Sequence, residues 1–319
     1  MPNPIRIAAC HVSSVLLSAR GTIPAFPIWS AVRPPTEHHD LFKRMALDSV
    51  YVDGEEVSAI IFTAKKLNMM VSLGICEKLW YSSATLFNSN VIIGSDGDIL
   101  VHHRKLMPTF FEKLTSSLGD GYGLRVAETR FGKISNLICG ENTNLLARYA
   151  LVSQGEQIHI STGSSVANSA NYDNLAPSRA RAAAHCFEAK CLESSAQGSL
   201  ARMPMRQCQT ALLRRALKNS QRGATLFLNP SGRLLPGFTI DSATSERKPA
   251  GYLQSVEGIL YADLDVGDCI EGKWYHNIVG DYQRLDVFDL KIDRRRRSSA
   301  TFTGDILTVG PAGTSTSEE

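Results

Sequence analysis

One cysteine stands where a strand is expected to give way to a helix. Cys139 follows the apolar run 134–138 and precedes a segment of helical pattern from about Thr143 to Ser153. A thiol placed there faces unpaired backbone N–H groups and the positive end of the helix dipole, which both favour the reactive thiolate. A cysteine in an apolar run can equally be a small residue of the core. Cys139 is therefore a candidate nucleophile, and we expect it to be the reactive one among the seven cysteines.

A lysine and a glutamate follow another expected strand. Lys105 lies in the segment 102–109 (HHRKLMPT), where Pro108 stops regular structure, and Glu112 comes seven residues after the lysine. A lysine held near a thiolate stabilises charge that develops on a substrate nitrogen, and a carboxylate can keep that lysine oriented. Most lysines at strand ends are simply solvated charges. Lys105 and Glu112 are therefore candidate partners of Cys139 and not yet assigned ones.

Strands and helices alternate along the chain and would have to position these side chains. Asp96-Gly97 between two apolar runs predicts a β-hairpin, and Asn229-Pro230-Ser231-Gly232 predicts a second. Alternation that includes antiparallel hairpins favours an α/β fold of layered sheets covered by helices over one parallel sheet. The expected strands are 5–12, 69–77, 86–93, 99–103, 134–138, 157–161, 224–228 and 258–266, and the expected helices are 57–67, 143–153 and 173–190.

Composition excludes several classes of protein. The chain has 319 residues, of which 43% are hydrophobic and 20% charged, as in ordinary globular proteins. A net charge of +3 is too small to indicate nucleic-acid binding. No stretch reaches about 18 apolar residues and no signal peptide is recognisable, so no membrane partner and a cytoplasmic location are predicted. The cysteines form no CxxC pair and no ligand spacing suits zinc, so we expect no metal, cofactor or disulfide framework.

Several segments, in order, carry a resemblance to a known family. The segment from His102 to Thr109 with Glu112 beyond it resembles the lysine segment of nitrilases and cyanide hydratases, which are carbon–nitrogen hydrolases. The likeness runs from about Pro24 to Arg295, so we expect one such domain over 1–293 and a disordered polar tail over 294–319. The other matching segments are LICGEN (137–142), LARYA (146–150), GEQIHI (155–160), HCFEAK (185–190) and YHNIVG (275–280).

The resemblance implies a four-layer α-β-β-α sandwich and a catalytic set of glutamate, lysine and cysteine. By that likeness, Cys139 attacks a nitrile carbon, Lys105 supports the charged intermediates, and Glu112 positions water or the lysine. The products are ammonia and a carboxylic acid, and neither cofactor nor metal takes part. The implied partners are a small nitrile and further copies of the chain. A cyanide hydratase, an amidase of the same superfamily and a catalytically dead oligomerising homologue remain as alternatives.

The chain departs from the family pattern near its N-terminus. The family's general base is a glutamate in a Phe-Pro-Glu motif that ends its second strand, and the stretch carrying that strand, its preceding helix and the base is missing after Val12. Glycines stand at positions 140 and 163, where tryptophans are expected, and region 199–222 fits poorly. The chain is accordingly either a mis-assembled or alternatively spliced gene product or a decayed relative. Loss of a base typically lowers a rate by about 10²–10⁴-fold.

Overall fold

The strands form three sheets, two of which face the third across an apolar interior. The computed structural model describes residues 4–12, 27, 30, 34–163, 175–198 and 223–296. The first sheet has the order β1-β13-β10-β11 and the second is the antiparallel meander β2-β3-β4. Their strands are β1 (Ile5–His11), β2 (Val71–Leu79), β3 (Ser82–Ile93), β4 (Ile99–Arg104), β10 (Phe238–Ile240), β11 (Arg247–Pro249) and β13 (Gly258–Leu264).

The third sheet is the largest and is parallel at its centre. Its order is β12-β9-β8-β7-β6-β5, and both β6 with β7 and β7 with β8 pair in parallel. Parallel neighbours need crossover connections, which helices supply here. The strands are β5 (Ala127–Thr129), β6 (Gly132–Ile138), β7 (Ile158–Gly163), β8 (Leu192–Gln197), β9 (Thr225–Leu228) and β12 (Tyr252–Leu253).

Helices cover the outer faces of the sheets. Val57 and Ala64 of the second helix pack on the β2-β3-β4 sheet. Ala150 of the third and Ala182 of the fourth pack on the six-stranded sheet. This is the α-β-β-α order expected from the sequence. The helices are α1 (His39–Asp48), α2 (Glu55–Leu67), α3 (Leu145–Val152), α4 (Leu175–Ala189) and the short α5 (Asp268–Glu271), with 3-10 turns at Pro35–Glu37, Phe110–Leu114, Gly121–Gly123, Cys139–Thr143 and Gly272–Trp274.

The sheet that would form the first β layer is split in two. Within the described ranges, β1 pairs only with β13, and β2 pairs along its length only with β3, apart from one bridge between Val50 and Glu77. A cavity of about 850 Å³ is lined by both β1 and the start of β2, and by apolar residues of the six-stranded sheet. The separation of β1 from β2 into two sheets agrees with the missing central strand expected from the resemblance.

The two expected hairpins differ in the structure. Gly97 adopts a left-handed φ of +97° at the turn between β3 and β4, as predicted. The second turn forms with Gly232 at φ +77°, but its return arm makes only the single bridge from Leu228 to Leu234. Pro236 follows at once and has no N–H to continue a ladder. The prediction was therefore right about the turn of the second hairpin and wrong about the length of its paired strands.

Contacts near the C-terminus continue past the boundary predicted at Arg294. The guanidinium of Arg296 forms an ion pair with Asp120 at 3.0 Å and donates to the carbonyl of His102 at 3.1 Å. The folded part therefore extends to Arg296 at least. Residues 297–319 and 199–222 lie outside the described residues, so the disorder predicted for the tail stays a prediction. No helix in the described part of the chain is long and apolar enough to cross a bilayer.

Candidate active site

The lysine is fixed by backbone bonds at the end of β4. The Lys105 N–H donates to the carbonyl of Asn88 at 2.8 Å, and the Lys105 carbonyl accepts from Gly119 at 2.9 Å. A Cβ on Gly119 would lie 2.3 Å from the carbonyl of Arg104, so this close approach requires glycine. The lysine side chain is only 1% exposed. A buried ammonium needs a close anionic partner.

Glu112 is that partner. Its carboxylate receives a short hydrogen bond from the Lys105 ammonium, another from the Thr109 N–H at 2.6 Å, and a third from the Asn88 side chain at 2.9 Å. Lys105 also donates to the Thr109 hydroxyl at 2.9 Å. Glu112 sits in the turn Phe110–Leu114 and closes it as a capping residue. Both of its oxygens are engaged, which suits a carboxylate that orients the lysine.

The adjacent β4 residues are held by a second buried carboxylate. Glu77 of β2 accepts from Arg104 and His102, and also from the Ser89 hydroxyl at 2.6 Å. Burial alone raises the pKa of Glu77, but hydrogen bonds from His102 and Arg104 outweigh it and lower the pKa from 4.5 to about 2. This network anchors the strand that delivers Lys105.

Cys139 follows β6 in a strained conformation. Its φ is +53°, a left-handed value that is uncommon for a non-glycine residue and is typical of functional turns. The α-helix expected from about Thr143 begins at Leu145, capped by the Asn144 side chain, and a 3-10 turn over Cys139–Thr143 precedes it. Asn142 donates to the carbonyl of Cys139 at 2.9 Å. The thiol therefore stands at the first residue of a tight turn that precedes the α-helix.

Sequence reasoning missed Glu141, which joins the cysteine segment to the lysine segment. Its carboxylate accepts from the Ile138 N–H at 2.5 Å, the Leu106 N–H at 2.9 Å and the His103 ring at 2.6 Å. Burial raises the pKa of Glu141, but charge from His103 and these hydrogen bonds outweigh it and lower the pKa. The signal in the sequence was a glutamate two residues after the candidate nucleophile. In the structure it binds Ile138 and Leu106, which are the neighbours of Cys139 and Lys105.

The three predicted catalytic residues come from two segments that touch. Cys139 and Glu112 line the same cavity of about 850 Å³, and a Cβ on Gly140 would lie 3.2 Å from the Thr109 hydroxyl, which binds Lys105. Glu112 is the one carboxylate among the described residues that line the cavity. Both oxygens of Glu112 already accept hydrogen bonds. The described lining of the cavity therefore offers no further carboxylate that could act as a general base.

Accessibility alone does not single out Cys139. Cys139 and Cys76 are partly exposed and Cys10 on β1 is exposed, so the expectation that Cys139 is the reactive cysteine stays a prediction. Cys186, Cys191 and Cys269 are buried, whereas Cys208 lies outside the described residues. What distinguishes Cys139 is its left-handed turn beside the segment of Lys105 and Glu112.

Comparison with known proteins agrees with this geometry. The carbon–nitrogen hydrolase family profile matches residues 27–273. The chain belongs to the carbon–nitrogen hydrolase family. Within it, the chain is 28% identical over 282 residues to Nitrilase 2 of an unknown prokaryotic organism, covering 88% of this chain and 82% of the relative. It is 29% identical over 289 residues to a cyanide hydratase of Gibberella zeae, covering 88% and 77%.

A solved structure supports the fold. The C. elegans NitFhit protein aligns with 93% of this chain and 69% of its own, at a TM-score of 0.63 and 16% identity. The match of the family profile begins at residue 27, after β1 and Val12. This carbon–nitrogen hydrolase therefore keeps the nitrilase fold around Cys139 while its first β layer is interrupted.

Proposed function

We propose that the site of Cys139, Lys105 and Glu112 is built to hydrolyse a small nitrile to a carboxylic acid and ammonia. The observation that carries the proposal is the buried Lys105–Glu112 pair beside the segment of Cys139, with Glu112 and Cys139 on one cavity. Similarity to a nitrilase and a cyanide hydratase supports a nitrile substrate. The six cysteines that the structure describes are free, which suits a cytoplasmic protein.

The proposed reaction uses the side chains in turn. The Cys139 sulfur adds to the nitrile carbon, the nitrogen takes up a proton, and a thioimidate forms. Water adds to that carbon, and the C–N bond breaks to release ammonia and leave a thioester. A second water releases the acid and returns the thiol. Lys105, held by Glu112, stabilises the negative charge that develops in the tetrahedral intermediates.

Attack by water is the step for which this chain is least equipped. Each water must lose a proton to a base within hydrogen-bond reach. Glu112 is bound to Lys105, Thr109 and Asn88, and the cavity lining in the described part of the chain offers no further carboxylate. We infer that the chain as it stands forms the covalent adduct faster than it releases it, and turns over slowly or not at all.

The mass of the intact protein tests this proposal. The chain is incubated with aliphatic and aromatic nitriles, and its mass is compared with that of a Cys139→Ser variant under the same conditions. We expect a substrate-sized adduct on Cys139, with little ammonia. An unmodified wild-type chain, or an adduct that persists in Cys139→Ser, contradicts the proposal. Any released product is identified as acid or amide, because a cyanide hydratase stops at the amide and an amidase ignores the nitrile.

A catalytically inactive scaffold that self-associates is the second candidate, and the interrupted sheet favours it. Large apolar side chains are exposed towards the end of the described chain: Trp274 at 90%, Tyr275 at 71%, Leu285 at 75% and Phe288 at 72%. Exposed apolar surface of this kind is typical of protein–protein contacts. Homo-oligomers in sedimentation, without a Cys139 adduct or any turnover, would favour the scaffold.

A further inference from the structure

Three buried side chains of metal-ligand type meet behind the six-stranded sheet. Glu156 precedes β7, His185 lies in α4 and Cys191 precedes β8, and all three are buried. One carboxylate oxygen, one ring nitrogen and the thiol sulfur lie within 4.8 Å of one another. No motif in the sequence indicates this group, because its residues come from three elements and lack the short spacing of zinc motifs.

The hydrogen bonds of this cluster leave particular atoms unmatched. Oε2 of Glu156 accepts from Ser135 and lies 3.2 Å from the ring of His159. Oε1 of Glu156 and Nε2 of His185 form a buried ion pair at 2.6 Å, and neither atom has a further partner among the described residues. The other ring nitrogen of His185 has none either. A buried ring nitrogen without a partner, beside a carboxylate and a thiol, requires an explanation, and a bound ion is one.

We propose that Glu156, His185 and Cys191 bind a zinc ion. A carboxylate and a thiolate carry two negative charges, which a divalent cation neutralises inside the protein. Sulfur, nitrogen and oxygen together suit zinc, whereas magnesium and calcium prefer oxygen alone. Tetrahedral zinc bonds would separate the oxygen and nitrogen ligands by about 3.3 Å. The Glu156–His185 contact would therefore widen by roughly 0.7 Å on binding.

A small cavity adjoins His185, although neither Glu156 nor Cys191 lines it. The cavity of about 10 Å³, lined by His185 together with Ser161 and Glu193, is about large enough for one water. Cys269, by contrast, is a buried cysteine whose thiol contacts the carbonyl of Gln157, and it is not among the clustered ligands. It therefore offers a matched control for Cys191.

The proposed ion is linked to the turn of Cys139 by a short chain of hydrogen bonds. Glu156 contacts His159, whose Nε2 lies 2.9 Å from the Asn142 side-chain oxygen, and Asn142 donates to the carbonyl of Cys139. An ion that fixes Glu156 would hold this chain in place. The site would therefore be structural and would support the nucleophile without touching substrate.

Metal analysis of the purified full-length chain tests the proposal. The protein is stripped with a chelator, titrated with Zn²⁺ or Co²⁺, and compared with Cys191→Ser, Cys269→Ser and Cys139→Ser. We expect stoichiometric zinc and a thiolate-to-Co²⁺ absorption band in the wild type and in the Cys269 and Cys139 variants, and loss of both in Cys191→Ser. The Cys139 variant excludes binding by the proposed nucleophile.

Circular dichroism of each variant shows whether it is folded. His185→Asn is a second variant that removes a ligand without removing sulfur, and it should weaken zinc binding while keeping a shifted Co²⁺ band. A wild-type chain that binds no zinc, or equal loss of the band in Cys191→Ser and Cys269→Ser, would overturn the assignment. A buried Glu156–His185 ion pair without metal would then describe the cluster.

Discussion

Restoring a helix, a strand and a Phe-Pro-Glu motif after Val12 should convert this chain into an active, cooperatively folded nitrilase. The insert would place a strand between β1 and β2, which share no ladder within the described ranges, and a base at the cavity shared by Cys139 and Glu112. Backbone groups on both edges would gain partners, and apolar side chains of the new strand would fill the space between the sheets.

The size of the cavity indicates how large the effect on stability is. The cavity of about 850 Å³ opens to solvent, so each apolar side chain of a restored strand that becomes buried there should raise the free energy of unfolding by about 1.5–3 kcal/mol. Native domains are stable by only about 5–15 kcal/mol, so the burial of a few such side chains would change the free energy of unfolding by a large fraction of the total. We expect the chain as written to aggregate through its free edges or to admit water there, and the restored chain to unfold cooperatively.

Two inserts separate the fold from the chemistry. One ends in Phe-Pro-Glu, and the other is identical except that it ends in Phe-Pro-Gln. Both should restore a sharp urea transition, but only the first should release ammonia from nitriles, at a rate about 10²–10⁴-fold above that of the second. Equal and rapid turnover by the unmodified chain and the Glu insert would refute the reasoning and show that a working base already exists. Restored folding without any difference between the Glu and Gln inserts would refute the role of the base.

Three further predictions can be measured in the restored chain. Lys105→Met leaves the buried carboxylate of Glu112 without its cation and should lower the free energy of unfolding by about 3–5 kcal/mol. Adding Glu112→Met should recover much of that loss. Urea denaturation measures both changes. Glu141→Gln weakens the clamp between the two catalytic segments and should slow iodoacetamide labelling of Cys139, which peptide mass spectrometry measures; unchanged labelling would contradict that role. The pKa of Glu77 is lowered from 4.5 to about 2, which corresponds to a contribution of about 3 kcal/mol to the free energy of unfolding. That contribution is complete above pH 4.5 and is lost as the pH falls towards 2. Glu77→Gln should flatten the pH dependence of the urea midpoint over that interval, and an unchanged profile would show that other groups dominate.

Local pattern was sufficient to predict most elements of the fold. The spacing of Val57, Ile60, Ile61 and Ala64 predicts one buried helix face, and α2 buries Val57 and Ala64 on the β2-β3-β4 sheet. Asp96-Gly97 fixes its hairpin because the turn needs a left-handed residue. Such features depend on neighbours in sequence, so they can be read from the chain alone.

Features that depend on distant residues were harder to predict. The Lys105–Glu112 pair was expected from a seven-residue spacing within a recognised segment, whereas the contacts of Glu141 with Leu106 and His103 join residues far apart in the chain. The turn at Cys139 was expected to open directly into an α-helix, but side-chain bonds from Glu141 favour a 3-10 turn first. The periodicity of apolar residues does not indicate which buried polar groups will form hydrogen bonds with one another.

The interrupted β layer also bears on how the molecule unfolds. Residues 39–104 contain α1, α2 and the β2-β3-β4 meander, whose strand pairs are all local to this segment. Within the described ranges, no strand of this segment pairs with β1. The segment therefore contacts the rest of the chain mainly through interior side chains and through the lysine and cysteine segments. Cooperative units often coincide with such supersecondary motifs. Amide hydrogens of 71–104 should therefore exchange together, at a free energy of opening different from that of β6, β7 and β8, and the site would be assembled from two units of unequal stability.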